Sequence, residues 1–398
     1  MPTASQRLRP LRPYLASFLA LGVALSFFGP ALPTLRDQTG ATLGQLGLVF
    51  AAQSIGGLVG SIVAGRLYRR FGGPHLIAVA VCLLAASIAL LAVAGALALV
   101  IALGALMGLG AGTMDVSANT VAPTLVEPED LVSSMNALHM CFAIGALGTP
   151  LVVGLSVALT DGLGLACAVF GAALVALGVT LWRRDRAEGA RRAAEQHAEA
   201  GPTPAAWRLT IIASFFLLYV GLEVCFAGWV ATYADELGLG AGWATVVTTG
   251  FWAGFLAGRL FMAWRGERLA TGRVLWTSVG AAVVTSVVIA LVGAAPVALL
   301  AGSIALGAVV APQFPTMLAH VHRTIPLTGT VTAWCIAGSS IGGLLLPPLI
   351  GVLFDSVGAG ALPWTVCAAS VATGVVLFAA DRWALPIPEV VAADATTG

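Results

Sequence analysis

The chain has 398 residues, of which 59% are hydrophobic and only 9% are charged, and its mean hydropathy is +0.97. An ordinary soluble domain has roughly 45–50% apolar and about 25% charged residues, so this composition excludes a water-soluble globular protein. The formal net charge of +1 provides no basic surface for nucleic acid, and we expect no nucleic-acid partner.

Apolar stretches long enough to cross a bilayer follow one another along the chain. A spanning helix needs about 20 mostly apolar residues, because lipid offers the backbone no hydrogen-bond partners. Twelve segments meet this requirement and predict an all-α membrane protein with twelve transmembrane helices. The predicted spans are 12–33, 43–65, 75–95, 97–121, 131–158, 162–182, 207–233, 241–264, 274–294, 296–319, 329–354 and 361–380.

The basic residues predict how these spans are oriented. All 19 are arginines, and apart from Arg36 they lie near the termini or in loops on one side of the predicted bundle. Short loops rich in basic residues stay in the cytoplasm. We therefore expect both termini in the cytoplasm and a multi-pass protein of the cell membrane, which we expect to be a monomer.

One long polar segment divides the predicted spans into two sets of six. Residues 183–206 are rich in Arg, Glu and Ala, and they predict a cytoplasmic linker. On this basis residues 1–182 form an N-terminal six-helix bundle. Residues 207–398 form a C-terminal six-helix bundle with a short tail.

The two sets of spans repeat one another in sequence. Spans 2 and 8 both contain Ala-Gly-Arg-Leu near their ends, at residues 64–67 and 257–260. Three positions of span 5 recur in span 11 at a constant offset of 197 residues: Gly145, Pro150, Gly154, Gly342, Pro347 and Gly351. A parallel six-helix repeat predicts a central cavity between the two bundles, with a small solute bound near the middle of the bilayer.

Charged residues at the predicted cytoplasmic ends of spans 2, 5 and 8 are candidates for a gate. They are Arg66, Arg69, Arg70, Arg259, Glu129 and Asp130. Opposite charges here can form ion pairs between neighbouring helices. Alternatively, the two acids only stabilise the N-terminus of span 5, where the helix dipole favours anions.

Polar side chains in spans 4 and 5 are candidates for binding a substrate or a coupling cation. An ionisable group at membrane depth costs about 2.5–3.5 kcal/mol on insertion scales, so Asp115 is a functional candidate. Asn119 lies one helical turn further along the same face. Counted from the cytoplasmic ends, His139 of span 5 lies at a depth similar to that of Asp115, and Asn136 matches Asn119, so the four residues predict one polar cluster. The alternative is a hydrogen-bond network that only holds the two spans together.

A second buried acid, Glu223, lies near the middle of span 7 and is the other strong candidate for cation coupling. A carboxylate there can bond to a polyol hydroxyl, bind a cation or exchange a proton. Four weaker candidates at similar depth are Gln53, Trp252, Gln313 and Trp334. Aromatic faces in a cavity can stack on sugar rings, but an isolated membrane tryptophan is more often a packing or lipid contact.

Residues 65–73, GRLYRRFGG, resemble the major facilitator signature G-x-L-x-D-R-x-G-R. Arg69 replaces the aspartate and Gly73 replaces a basic residue, so the usual gating ion pair is in doubt. Residues 110–119, 135–146 and parts of 219–259 resemble a particular branch of that superfamily. It is the fucose/proton symporter-like group, which includes sodium-dependent glucose transporter-like proteins.

The resemblance to this branch implies cation-coupled uptake of a sugar or related polyol. It also implies that Asp115 is the coupling acid and that Asn119 and Asn136 lie near the substrate. Span 1 departs from the branch, since a symporter of this group can carry an acid there and this span has none. Coupling would then require Asp115, His139 or Glu223.

Other functions remain open at this stage. Drug/proton antiporters carry a glycine-rich span 5 motif with an adjacent Gly-Pro pair, which Gly148-Thr149-Pro150 imitates only in part. A membrane sensor that has lost transport is a second alternative. An enzyme is not expected, because no HExxH or GxSxG motif occurs, and we expect neither a cofactor nor a metal site. The chain has no lysine, which excludes a Walker A motif.

Overall fold

The computed structural model describes residues 11–127, 131–183, 204–326 and 329–385. The α-helices of the first half are α1 Arg12–Ser26, α2 Phe28–Thr39, α3 Leu43–Phe71, α4 Gly73–Leu91, α5 Leu97–Val121, α6 Leu131–Thr160 and α7 Gly164–Trp182. Those of the second half are α8 Ala206–Glu236, α9 Gly240–Arg265, α10 Thr271–Val292, α11 Pro296–Val310, α12 Gln313–His322, α13 Gly329–Val357 and α14 Ala361–Ala379.

These helices form twelve membrane spans, as the hydropathy predicts. Eleven stretches are each long and apolar enough to cross a bilayer, and α1 and α2 together make the twelfth, with a bend of 42° between them. The bend has a local cause, because Pro30 has no N–H to donate to the carbonyl of Ser26 one turn earlier. The Ser26 hydroxyl meanwhile donates to the Gly22 carbonyl at 2.7 Å.

The tenth span is also broken at proline, since α11 ends at Val310 and α12 begins at Gln313, with Pro312 between them. The eleventh span is not broken. Helix α13 continues through Pro347 and Pro348.

The same helix pairs pack together in both halves. In the first half α1 packs on α6, α3 on α5, and α4 on α7. In the second half α8 packs on α13, α9 on α11, and α10 on α14. This is the parallel six-helix repeat that the sequence predicts.

Glycines bring the paired helices into backbone contact at repeated positions. A Cβ atom added at Gly145 would lie 2.1 Å from the Leu19 carbonyl oxygen, and one at Gly342 would lie 2.1 Å from the Leu217 oxygen. Both glycines belong to the repeat with the offset of 197 residues. Any larger residue would therefore push α6 away from α1 or α13 away from α8.

The bundle has two ends, which we call the linker side and the far side. The linker side is where α7 ends at Trp182 and α8 begins at Ala206. The far side is where α2 ends at Thr39 and α3 begins at Leu43. The residues that the linker was predicted to contain, 183–206, lie outside the described residues except for the first and the last three.

Candidate functional site

The two halves are joined on the far side. Asp355 of α13 accepts hydrogen bonds from two backbone amides at the start of α3, from Leu43 at 3.1 Å and from Gly44 at 2.7 Å. Arg36 of α2 forms an ion pair with Glu236 of α8. Within the described residues, these are the hydrogen bonds and ion pairs that connect the halves, and we call them the far-side clamp.

Aromatic packing closes the same side below the clamp. The rings of Phe50 and Trp229, from opposite halves, lie 5.8 Å apart, and Trp229 is fully buried. The indole of Trp229 donates to the Pro347 carbonyl at 3.0 Å. These contacts separate the space beneath Phe50 from the far side.

A central cavity of about 360 Å³ lies between the halves. That volume is within the range of about 300–1,000 Å³ usual for small-molecule sites. Both halves contribute polar side chains to its walls. These are Ser26, Gln53, Ser54, Ser61, Asp115, His139, Tyr219, Glu223, Arg259, Ser339 and Ser340.

Asp115 lines the cavity from the first half and is held by its own helix. The amide of Asn119 donates to Oδ1 of Asp115 at 2.9 Å and to its backbone oxygen at 3.0 Å. This pair follows from the spacing of one turn along α5. It leaves Asp115 Oδ2 without a hydrogen bond from any described residue, and Asp115 faces the space between the halves.

The predicted four-residue cluster is not one hydrogen-bonded group. His139 lines the cavity, and its ring meets the ring of Phe18 edge-on at 5.4 Å. Asn136, three residues earlier on α6, is exposed and outside the cavity lining. No hydrogen bond joins either residue to Asp115 or Asn119 among the residues that the structure describes.

Glu223 lines the cavity from the second half. Tyr219, one turn earlier on α8, donates its hydroxyl to Oε2 of Glu223. Arg259 of α9 lies close enough to interact electrostatically with Glu223 and Tyr219, and with His139 across the cavity. The sequence predicts Arg259 to be a gating residue at the helix end, whereas the structure places it in the cavity wall.

Aromatic rings form the apolar part of the same wall. Trp252 is 3% exposed and packs against Phe142 of the other half, with 6.2 Å between ring centroids. It also meets Phe255 edge-on at 5.4 Å. Its indole Nε1 is buried and has no acceptor in the described part of the chain. Gln53 lies nearby in the lining, and its amide points to the Ala24 carbonyl at 3.4 Å.

Asn119 and Asn136 are not part of the cavity lining, and two further predicted binding residues, Gln313 and Trp334, also lie outside it. Gln313 is buried and directs its amide back to the Val309 carbonyl at 3.5 Å, while its neighbour Phe314 lines the cavity. Trp334 is 37% exposed and does not line the cavity. Trp334 is therefore partly exposed at the bundle surface, and Gln313 is buried between helices.

Little is described of the predicted gate on the linker side. Arg66 and Arg70 are exposed, and the Arg70 guanidinium lies 5.3 Å from the centre of the Phe71 ring. Glu129, Asp130 and the side chain of Arg69 lie outside the described residues. Their pairing stays a prediction.

Two residues of this region, Tyr219 and Asp355, are not among the candidates that the sequence predicts. Tyr219 could have been found, since it precedes Glu223 by one turn and a tyrosine at that spacing can reach a carboxylate. Asp355 gave no comparable signal, because it sits at a helix end and its partners are backbone amides more than 300 residues away.

The sequence model of the Major Facilitator Superfamily matches residues 14–334. The chain is 24% identical to mouse sodium-dependent glucose transporter 1A, over 85% of this chain and 88% of that protein. It is 21% identical to the glucose/mannose transporter GlcP of Bacillus subtilis, over 84% of this chain and 86% of that one.

The fold is similar to a partially occluded inward-open structure of the xylose transporter XylE from E. coli. The TM-score is 0.78 at 13% sequence identity, with 94% of this chain and 98% of that chain covered. The family match covers most of the chain, and the helix order and pairing agree with it. The chain belongs to the major facilitator superfamily and is a multi-pass membrane transporter.

Proposed function

We propose that this transporter takes up a sugar or a related polyol by cation-coupled alternating access. One observation carries the proposal: a single cavity between the halves holds a carboxylate from each half beside an amide and an aromatic wall. The relatives described above, which are named as glucose and glucose/mannose transporters, support the same substrate class.

The chemistry of the cavity wall fits a hydroxylated ring. Hydroxyls can bond to Gln53, to the serines of the lining and to the carboxylates. The indole of Trp252 has a buried donor without an acceptor, and its ring contributes to the apolar wall. A sugar offers both kinds of surface, since its C–H face packs on aromatic rings and its hydroxyls bond at the edge.

Two acids at membrane depth supply the coupling in this proposal. Asp115 belongs to the first half and Glu223 to the second, so the two carboxylates line the cavity from opposite halves. A carboxylate in a low-dielectric cavity is stabilised by a bound proton or sodium ion. Solute and cation then favour the same closed arrangement of the halves, which is the requirement for symport.

The distribution of arginines indicates how the protein is oriented in the membrane. They are concentrated at the linker side, which we place in the cytoplasm. The far-side clamp then closes the cavity toward the outside. The structure on this reading corresponds to a cytoplasm-facing state.

Transport by the purified chain in sealed liposomes tests the proposal. Labelled hexoses and pentoses should accumulate under an inward proton or sodium gradient, and the gradient that works identifies the coupling ion. Asp115→Asn and Glu223→Gln should abolish accumulation against a concentration gradient. Asp161→Asn and Glu127→Gln, which change acids in loops outside the cavity, are the matched controls and should transport normally.

The same liposomes separate uptake from efflux by proton antiport. The aromatic wall of Trp252, Phe142 and Phe255 would also suit an apolar cation, so a fluorescent drug is included in the assay. Sugar accumulation that depends on the two acids supports the proposal. Drug movement against a proton gradient with no sugar accumulation overturns it.

A further inference from the structure

Arg259 is a cation inside the membrane, and no carboxylate of the described part of the chain forms an ion pair with it. Among the described residues, no carboxylate oxygen lies within 4.0 Å of its guanidinium, and its Nε makes no hydrogen bond. Glu223 interacts with it only at longer range and instead accepts the Tyr219 hydroxyl. A cation at this depth is costly, so an unpaired one points to a function.

The position of Arg259 directs its charge into the cavity. It lies on α9, two turns from Trp252, and both residues line the same space. The guanidinium carbon lies 5.1 Å from the centre of the Phe255 ring, which supports the planar group from one side. Stacking on an aromatic face is favourable for a guanidinium and leaves its N–H edge available to other groups.

We infer that Arg259 forms an anion subsite in the cavity and that the solute is a sugar acid, that is, a ring or chain polyol bearing one carboxylate. A guanidinium presents parallel N–H donors that match the two oxygens of a carboxylate. The hydroxylated remainder of such a solute fits the polar groups and the indole described above. This inference rests on the proposed function, since it specifies the sugar that the same cavity binds.

The charges of the cavity lining also favour a solute with one anionic group over a dianion or a neutral solute. The lining already holds Asp115 and Glu223, so a dianion would meet one arginine and two acids. A neutral sugar would leave the guanidinium without a partner when the cavity closes and water leaves. A site with a fixed buried charge discriminates against a ligand that lacks its counterion.

Binding of matched pairs of solutes tests the inference. D-glucuronate and D-galacturonate are compared with D-glucose and D-galactose, and D-gluconate with sorbitol, by calorimetry on the purified full chain. We expect each acid to bind about 10- to 100-fold more tightly than its neutral partner, because a hydrogen-bonded charge pair is added. Arg259→Gln should remove this preference and leave neutral-sugar binding within a few fold.

Two further variants separate binding from folding. Arg259→Lys keeps the charge without the bidentate edge and should lose most of the preference for the acids. Arg265→Gln changes an exposed arginine of the same helix, whose guanidinium lies 4.5 Å from the centre of the Trp264 ring, and should bind like the parent protein. Retained neutral-sugar binding shows that each variant is folded.

The outcomes distinguish failure of the sugar-acid inference from failure of the proposed function. Neutral sugars that bind as tightly as their acids, in the parent and in Arg259→Gln, overturn the sugar-acid inference and leave the proposed function intact. Absence of binding for neutral sugars and acids alike overturns both. A preference for acids that Arg259→Gln abolishes and Arg265→Gln retains supports the anion subsite.

Discussion

The far-side clamp predicts how a single carboxylate sets the conformational equilibrium of the transporter. Replacing Asp355 with alanine removes the acceptor of the Leu43 and Gly44 amides, which lie 3.1 and 2.7 Å from its oxygens. The bonds exist only while the halves touch on the far side. Their loss therefore destabilises the far-side-closed state and leaves the far-side-open state unchanged.

The magnitude follows from the exposure of the clamp. Asp355 is exposed, so the figure for a capping side chain, about 0.5–2 kcal/mol, applies rather than that for a buried charge. The Thr42 hydroxyl already caps the same helix by accepting from the backbone N–H of Gln45 at 3.3 Å. We therefore expect a cost near the middle of the range for a capping side chain. A loss of about 1 kcal/mol raises the far-side-open population about fivefold.

Thiol modification from outside the cell measures this population. The six native cysteines are replaced, and Ser340, which lines the cavity, is changed to cysteine as the reporter. A membrane-impermeant maleimide should label the reporter about five times faster in Asp355→Ala, because labelling from that side requires far-side opening. The matched control is Ser356→Ala, whose hydroxyl bonds only within α13, to the Val352 carbonyl at 2.9 Å and more weakly to Leu353.

Equal reaction rates of the reporter in Asp355→Ala and in Ser356→Ala would refute this role of Asp355. Faster labelling in both variants would also count against it, since the effect would then belong to the helix end in general. Sugar binding measured in parallel should weaken little, because Asp355 lies outside the cavity lining.

Two other changes test contacts that hold the helices together. Asp381→Ala removes the acceptor of the Trp276 indole, 3.0 Å away, and the hydrogen-bond partner of His320 Nε2, 2.8 Å away. Because Trp276 is exposed, the free energy of unfolding should fall by about 0.5–1.5 kcal/mol without a change in sugar affinity, as thermal unfolding and calorimetry would measure. Gly108→Ala should destabilise strongly, because its Cβ would lie 1.9 Å from a backbone oxygen of α3. Gly65→Ala, with nothing within 4 Å of its Cβ, should leave the Tm unchanged or raise it. Equal Tm values for the two glycine variants would contradict this account of the α3 and α5 contact.

Sequence alone predicts the fold well because the bilayer restricts the choices. Apolar length identifies all twelve spans. Proline is a weaker guide to helix breaks, because Pro312 lies at a break whereas α13 continues through Pro347 and Pro348. Boundaries are less exact, since α2 runs to Thr39 where hydropathy places the end of span 1 at residue 33. Polar residues at a helix end can extend beyond the lipid, so hydropathy cannot detect the final turns.

Sequence predicts the site only where the partners share a helix. Asp115 and Asn119 are one turn apart, and their hydrogen bond follows from that spacing. Which residues of α6 meet the cavity depends instead on how α6 packs against the neighbouring helices, and the structure places His139 in the lining and Asn136 outside it. The position of Arg259 likewise depends on the approach of α8 and α9, which no spacing along either helix reveals.

The glycine contacts within each half have a consequence for how this architecture can acquire a new cargo. At Gly145 and Gly342 a neighbouring backbone oxygen occupies the space that any other side chain would need, so these positions tolerate no variation. Cavity positions such as Gln53 and Ser339 carry no such restriction, because they face open volume. The polar side chains of the lining are therefore a separate set from these contact glycines, and the transported solute can change by substitution of those side chains while the packing within each half stays the same.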